Sequence, residues 1–415
     1  HVDVDTAFLY GYIDADVYME LPKGYKAQGS NGRDKVCRLR KGIYGLKQAG
    51  YLWYRRLTEY LISIGYVQLK SDKCIFMRSD TKCDIIITVH VDDILVIGQP
   101  IAALDNFVVE MEREFRMKRL GDIVWYSNIH VERSTHSDGD SVLKMSQSAY
   151  IMESLKELKL DQTNIQPTPM AEGVDIHELS ERGEPMTGQR HTNFRGKLGK
   201  TMWCMQTHPE VAYAVCQLSR VANCATEGHE KLIDHVWRYL KGVHDRGIFY
   251  RSKPYITEIR LVGWSDSNWG GDSASMKSTT STYWEICEGY IMSQSKLQSV
   301  VAMSTMEAEI IALSSAIQEA ILLRGTLKEL GFPQEQPTTI YVDNAATVAW
   351  ANSSGNYSGK RSVRHMELRH AHIKESVQLG DVAVIKCATK DNKSDIGTKA
   401  LGPADFRRHL DTIIA

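Results

Sequence analysis

Two adjacent acids, Asp92 and Asp93, stand between two apolar runs in "CDIIITVHVDDILVIG", and a third, Asp3, opens the chain in "HVDVDTAFLY". Neighbouring carboxylates repel and need protons, cations or open water to coexist. As a turn the pair is ordinary, because Asp favours turns. As a site, Asp3 laid beside the hairpin would bring three carboxylates together, the oxygen donors that hard divalent ions prefer. Two such ions about 3.5–4 Å apart clamp an in-line phosphoryl displacement. The residues by themselves leave both readings open. A second set comprises Asp266 in "GWSDSNWGG", Glu307 in "STMEAE", Asp343 in "YVDNAA" and Asp395 in "NKSDIGTKAL". Each alone is a routine surface acid, but four at element ends in this order point to a second oxygen-ligand site. The eight cysteines form no CxxC, and the histidines of "HMELRHAHIKE" fit no common zinc spacing. Neither a zinc site nor a disulfide framework is expected.

The elements that must position these acids fall into three stretches. Residues 1–135 mix short strands ("CIFMRS", "CDIIITVH", "ILVIG") with helices ("AGYLWYRRLTEYLISIGY", "IAALDNFVVEMEREF"), which reads as a mixed α+β region. Residues 136–255 read as mostly helical. From 256 the order is three strands, a long helix over "STMEAEIIALSSAIQEAILLRGTLKELG", a fourth strand, a helix and a fifth strand. Ile310, Leu313, Ile317 and Ile321 line one face of that long helix, and Gly331 and Pro333 end it. Asp266 then lies in the first strand of this region, Glu307 near a helix start, Asp343 at a strand end and Asp395 near the start of a last helix.

With 415 residues the chain has room for two or three domains. Its net charge of −1 announces no nucleic-acid partner. Local charge does: "GRDKVCRLRKGIYGLKQAGYLWYRR" carries eight basic residues against one acid, interleaved with Tyr44, Tyr51, Trp53 and Tyr54. That mixture suits a surface that tracks a phosphate backbone and stacks on bases, or else a solvated basic helix flank. No signal peptide and no run of about 18 apolar residues is visible, so an intracellular protein without a membrane partner is expected. The opening residues lack an initiator Met and already read as a strand, which suggests a piece of a longer polypeptide.

The order of the blocks resembles one family. "DVDTAFLYGYIDADVYMELPKGY", "RLRKGIYGLKQAGYLWY", "VHVDDILVIG", "HPEVAYAVCQLSR", "WRYLKGV", "GWSDSNWGGDSASMKSTTSTY", "MSTMEAEIIALSSAIQEAILLR", "YVDNAATVAWANS", "RHMELRHAHIKE" and "DIGTKAL" are similar, in sequence, to the reverse transcriptase and RNase H region of copia-type LTR retrotransposon Pol polyproteins. The resemblance implies an α+β and α/β multidomain fold. A right-hand polymerase palm with remnant fingers would occupy 1–135 and a helical thumb or connection 136–255. An RNase H-like mixed five-stranded sheet with helices would occupy 256–415. It implies RNA-directed DNA polymerase activity and cleavage of RNA in RNA–DNA hybrids, with two Mg²⁺ or Mn²⁺ per active site. Asp3, Asp92 and Asp93 become the palm ligands. Asp266, Glu307, Asp343 and Asp395 become the RNase H ligands. Phe8 becomes the bulky residue under the incoming sugar. Lys47 and Gln48 face template and nucleotide, and Arg364 and His365 lie near substrate. The implied partners are an RNA template, a DNA primer, RNA–DNA hybrid, dNTPs and other Pol and Gag parts of the element. The implied setting is a cytoplasmic virus-like particle or the nucleus.

The chain also departs from the family pattern. It starts at the first palm aspartate, without the fingers that precede it and bind the triphosphate. His90 stands where a tyrosine is expected, Ser127-Asn128 where Leu-Gly is, Met306 precedes the acid of the helix start, and Ile310 replaces a tyrosine. Asn tolerates a positive φ, so the 127–128 turn is expected to survive. Two further readings follow: a copy retaining only the ribonuclease, or a catalytically silent nucleic-acid-binding remnant.

Overall fold

The computed structural model describes residues 1–29, 34–81, 83–135, 140–252, 258–353 and 364–414, the side chains of 364–366 excepted. The chain divides into two compact units, His1–Ile123 with Gly325–Gly331, and Val124–Arg324 with Phe332–Ala415.

In the first unit the strands are β1 (Val2–Val4), β2 (Tyr18–Glu20), β3 (Val36–Arg38), β4 (Val67–Gln68), β5 (Ile75–Ser79), β6 (Asp84–His90), β7 (Asp93–Gln99) and β8 (Met117–Arg119). The helices are α1 (Ala49–Ser63) and α2 (Ile101–Glu112). Six strands form an antiparallel sheet in the order β4-β5-β6-β7-β1-β8. Alternation along β6 turns Ile85, Ile87 and Val89 inward, the period of a half-buried strand. They meet Trp53, Leu57 and Leu61, four apart on α1, and Phe107 and Met111 of α2. Between β1 and α1, a single-turn helix at Ala7–Tyr10 leads into Gly11, where a Cβ would stand 2.8 Å from the Leu52 backbone. Only glycine lets the two segments approach that closely.

The second unit opens on β9 (Trp125–Tyr126), β10 (Ile129–Thr135) and β11 (Ser141–Ser146). Ser127 and Asn128 close the β9–β10 hairpin with φ of 48° and 63°, the double positive φ that a tight hairpin turn demands. Helices α3 (Ser148–Glu157), α4 (Ile176–Glu181), α5 (Gly188–Cys204), α6 (Ala212–Arg220) and α7 (Glu227–Val243) follow, and then β12 (Ile248–Ser252). The stretch 136–255 is therefore not purely helical: β11 and β12 pair with each other and extend the sheet to the order β12-β11-β10-β9.

Next come β13 (Leu261–Asn268), β14 (Thr279–Ile286), β15 (Gly289–Leu297), α8 (Thr305–Glu329), β16 (Thr338–Val342), α9 (Ala345–Asn352), α10 (Arg364–Gln378), β17 (Val382–Lys386) and α11 (Pro403–Ile413). The five strands lie in the order β15-β14-β13-β16-β17, antiparallel across β13-β14-β15 and parallel across β13-β16-β17. Helix α8 is long and apolar enough by composition to cross a bilayer. Its Ala308, Ala312, Leu313 and Ala316 are buried within the protein, and its Glu319 accepts from the Trp284 indole of β14 at 2.7 Å. One core joins Phe194, Leu218 and Trp237 of the helices to Trp264 and Tyr283 of the sheet and Phe406 of α11.

Candidate active sites

Parallel pairing of β13 with β16 aligns Ser265 with Val342. The next residues, Asp266 inside β13 and Asp343 just past the end of β16, therefore lie side by side. Helix α8 adds Glu309 from its second turn. One carboxylate oxygen from each of Asp266, Glu309 and Asp343 lies within 4.8 Å of the other two. Among the described residues this is the one such group of three or more His, Cys, Asp or Glu. Asp266 is 6% exposed and Glu309 3%, and Glu309 Oε2 has no hydrogen-bond partner among the described residues.

The acid contributed by α8 is Glu309 and not Glu307. Glu307 serves its own helix end: its N–H donates to Ser304 Oγ (3.2 Å), and its carboxylate accepts from the Met303 N–H (2.7 Å). Two residues along a helix is a rotation of about 200°, so the two glutamates face opposite sides. The signal lay in the periodicity. Glu309 is in register with Leu313, Ala316 and Ala320, all fully buried, and an acid on that stripe must have a reason to be there.

Asp395 sits in the short turn Lys393–Gly397, ahead of the last helix and not on it. A Cβ at Gly397 would collide with the Ser281 side chain, so glycine is what lets this turn close on β14. Thr398 Oγ1 donates to Asp266 Oδ2 (2.9 Å) and to the Asp395 carbonyl (3.0 Å). Lys399 Nζ lies 2.5 Å from Asp395 Oδ1. The fourth acid therefore stands at the edge of the cluster with a cation in hand.

Burial, then the charges of Asp395 and Asp343, push the Asp266 carboxyl well above the usual carboxylate range. Burial, then Asp266, does the same to Glu309. Hard oxygen donors, mutual repulsion and an orphaned buried oxygen fit a divalent cation. A sign follows for stability. The folded form holds these protons more tightly than the unfolded chain, so metal-free protein loses stability as pH rises above the carboxylate range. Mg²⁺ or Mn²⁺ is expected to raise Tm, increasingly so between about pH 5 and 8. Asp343→Asn should stabilise the metal-free protein by about 1–2 kcal/mol and erase the gain from metal. Thermal scans over pH with EDTA or Mn²⁺ check this, and a Tm indifferent to metal would remove the cation from the site.

The second candidate is built on the β6–β7 hairpin. Asp93 pairs with His90 across the hairpin and with Asp3 across β1–β7, and Asp3 pairs with Lys118 across β1–β8. Directly opposed residues share a face, so Asp93, Asp3 and Lys118 form a row. Lys118 Nζ reaches Asp3 Oδ2 (3.3 Å) and Asp5 Oδ1 (2.6 Å), while His1 Nε2 holds Asp93 Oδ1 (2.7 Å). Burial raises the Asp93 carboxyl, opposed by His90. Asp92 stays in the turn, and the three acids do not gather as closely as the first set. Strand register sets Asp3 beside Asp93, and Lys118 and His1 hold them.

Phe8 lies on the Ala7–Tyr10 turn with its ring 4.7 Å from that of Tyr44. Lys47 is exposed and Gln48 half-buried, directly before α1. Exposed Tyr12 and Tyr51 are covered by Lys41 (5.4 Å) and Arg55 (5.8 Å). Arg364 and His365 open α10, but their side chains fall outside the described residues, as does Arg33.

Residues 1–172 match the family described as reverse transcriptase (RNA-dependent DNA polymerase). The chain is 31% identical over 409 residues to the retrovirus-related Pol polyprotein from transposon RE2 of Arabidopsis thaliana, covering 98% of this chain and 27% of that protein. It is 30% identical over 407 residues to the Pol polyprotein from transposon TNT 1-94 of Nicotiana tabacum, covering 96% and 29%. The chain thus spans somewhat over a quarter of the length of these relatives. Among solved structures, a foamy viral protease-reverse transcriptase in complex with double-stranded DNA aligns over 94% of this chain and 59% of that one, at 13% identity and a TM-score of 0.24.

Proposed function

Because residues 1–172 belong to the reverse transcriptase family and the chain is related along nearly its whole length to copia-type Pol polyproteins, we propose that it carries two metal-dependent phosphoryl-transfer sites. One, at Asp3, Asp92 and Asp93, extends a DNA primer on an RNA template with dNTPs. The other, at Asp266, Glu309, Asp343 and Asp395, cleaves RNA in RNA–DNA hybrids. The observation that carries this reading is the Asp266–Glu309–Asp343 group on two adjacent parallel strands and α8, with Asp266 and Glu309 buried, Asp343 half-buried and one Glu309 oxygen unpartnered.

Two Mg²⁺ or Mn²⁺ in each site would supply an activated oxygen nucleophile and charge stabilisation for the leaving group. The chain's own residues do the rest. The Asp266, Glu309 and Asp343 carboxylates would hold the cations. Thr398 fixes the Asp266 carboxylate by its hydrogen bond. Lys399 is paired with Asp395 at the edge of the cluster. In the first unit, the Phe8 ring is offered as a floor for the incoming sugar. Lys47 and Gln48, with the cation-covered Tyr12 and Tyr51, are offered as the surface for template and nucleotide. Arg364 and His365 are assigned to the neighbourhood of the cleaved strand. The other Pol and Gag parts of an element, in a cytoplasmic particle or the nucleus, complete the proposed setting.

One assay tests the reading: a labelled RNA–DNA hybrid with a primer end, dNTPs, and Mg²⁺ or Mn²⁺. Extension and cleavage are the expected products, and Asp343→Asn should remove the cleavage alone. Neither product would refute both sites. A second reading, a ribonuclease on an inert polymerase platform, has its own support. Asp3 and Asp93 are already paired with Lys118 and His1, whereas Asp266, Glu309 and Asp343 gather with one oxygen orphaned. Cleavage without extension would select it.

A further inference from the structure

The turn that carries Asp92 holds a conformation its own residue resists. Val91 adopts φ of 61°, a region where a β-branched residue is an outlier and which persists only when surroundings over-determine it. Its side chain is 44% exposed, so packing of that side chain does not hold it there. The main chain is held on both sides instead. The Val91 carbonyl accepts from Trp53 Nε1 at 2.6 Å, and the Asp92 carbonyl accepts from the Val4 N–H at 2.9 Å.

Trp53 is built to be a fixed point. It is 2% exposed on the inner face of α1, with its ring edge-on to Phe115 at 5.2 Å and tilted against Tyr10 at 6.0 Å. A buried indole N–H must find an acceptor, and this one finds the carbonyl immediately before the acid pair. We propose that Trp53 is a positioning residue for the acids of the first-unit site: its N–H locks the Val91 peptide, and so sets the direction in which Asp92 and Asp93 leave the turn. Without that donor, Val91 can relax to negative φ, which rotates the 91–92 peptide and carries Asp92 with it. This inference rests on the polymerase reading for its consequence, but the lock itself is independent of it.

The test is a double-mutant cycle on the full chain. Trp53→Phe keeps an aromatic ring and drops the donor; Val91→Gly removes the strain that the donor opposes. Primer extension gives kcat and KM for dNTP, and hydrogen exchange with mass spectrometry reads the amides of the 91–93 turn. Trp53→Phe is expected to lower kcat about tenfold, the worth of one well-made hydrogen bond, with little change in KM, and to speed exchange at the turn. In the Val91→Gly background the same substitution should have a clearly smaller effect on both. Equal effects in the two backgrounds, or unchanged exchange at the turn, overturn the proposal. If no variant extends a primer, the polymerase reading fails, and the exchange cycle still decides whether Trp53 locks the turn.

Discussion

Glu309→Gln is expected to lower hybrid cleavage by about a thousandfold or more, the several kcal/mol that metal-borne charge stabilisation supplies. Glu307→Gln should leave cleavage within about threefold, because its loss weakens only a helix cap. The two substitutions remove the same charge two residues apart, so overall electrostatics cannot account for a difference. Only Glu309 shares the pocket of Asp266 and Asp343. Mn²⁺ titration of the same variants gives a second readout, since Glu309→Gln should weaken binding and Glu307→Gln should not. Equal losses of cleavage would place the site elsewhere.

Asp93→Asn is expected to abolish primer extension and to leave hybrid cleavage unchanged. Asp93 stands opposite Asp3 and His90 in the strand register, and the backbone ladder does not depend on its charge. A thermal scan of the variant checks that activity is lost while the fold holds, which separates a catalytic role from a structural one. Asp92→Asn should likewise spare cleavage. The first-unit acids and the cluster around Asp266 belong to different compact units, so a matching loss of cleavage in either variant would undermine the division into two sites.

Much of the scaffold was legible because it is periodic. The strands at Ile75–Ser79, Asp84–His90 and Asp93–Gln99 follow the apolar runs, as do the five strands of the second sheet. Strands β11 and β12 were not legible: "SVLKMS" and "IFYRS" are short and border a run of helices, and what makes them strands is pairing with each other across some hundred residues. The turn at Ser127-Asn128 kept its positive φ without a glycine, as the tolerance of Asn suggests.

By itself, the sequence made the order of most elements and a set of candidate acids legible, because those depend on local pattern and block order. Tertiary structure alone decided which glutamate of α8 gathers with Asp266 and Asp343. Whether Glu307 or Glu309 enters the site depends on which face of α8 the sheet covers, a rotation that neighbouring positions in "MEAE" do not reveal. It also decided how the acids are neutralised. Lys399 is four residues from Asp395, but Lys118 reaches Asp3 only because β8 lies beside β1. The lock from Trp53 to Val91 spans 38 residues and exists only because α1 packs beneath the hairpin.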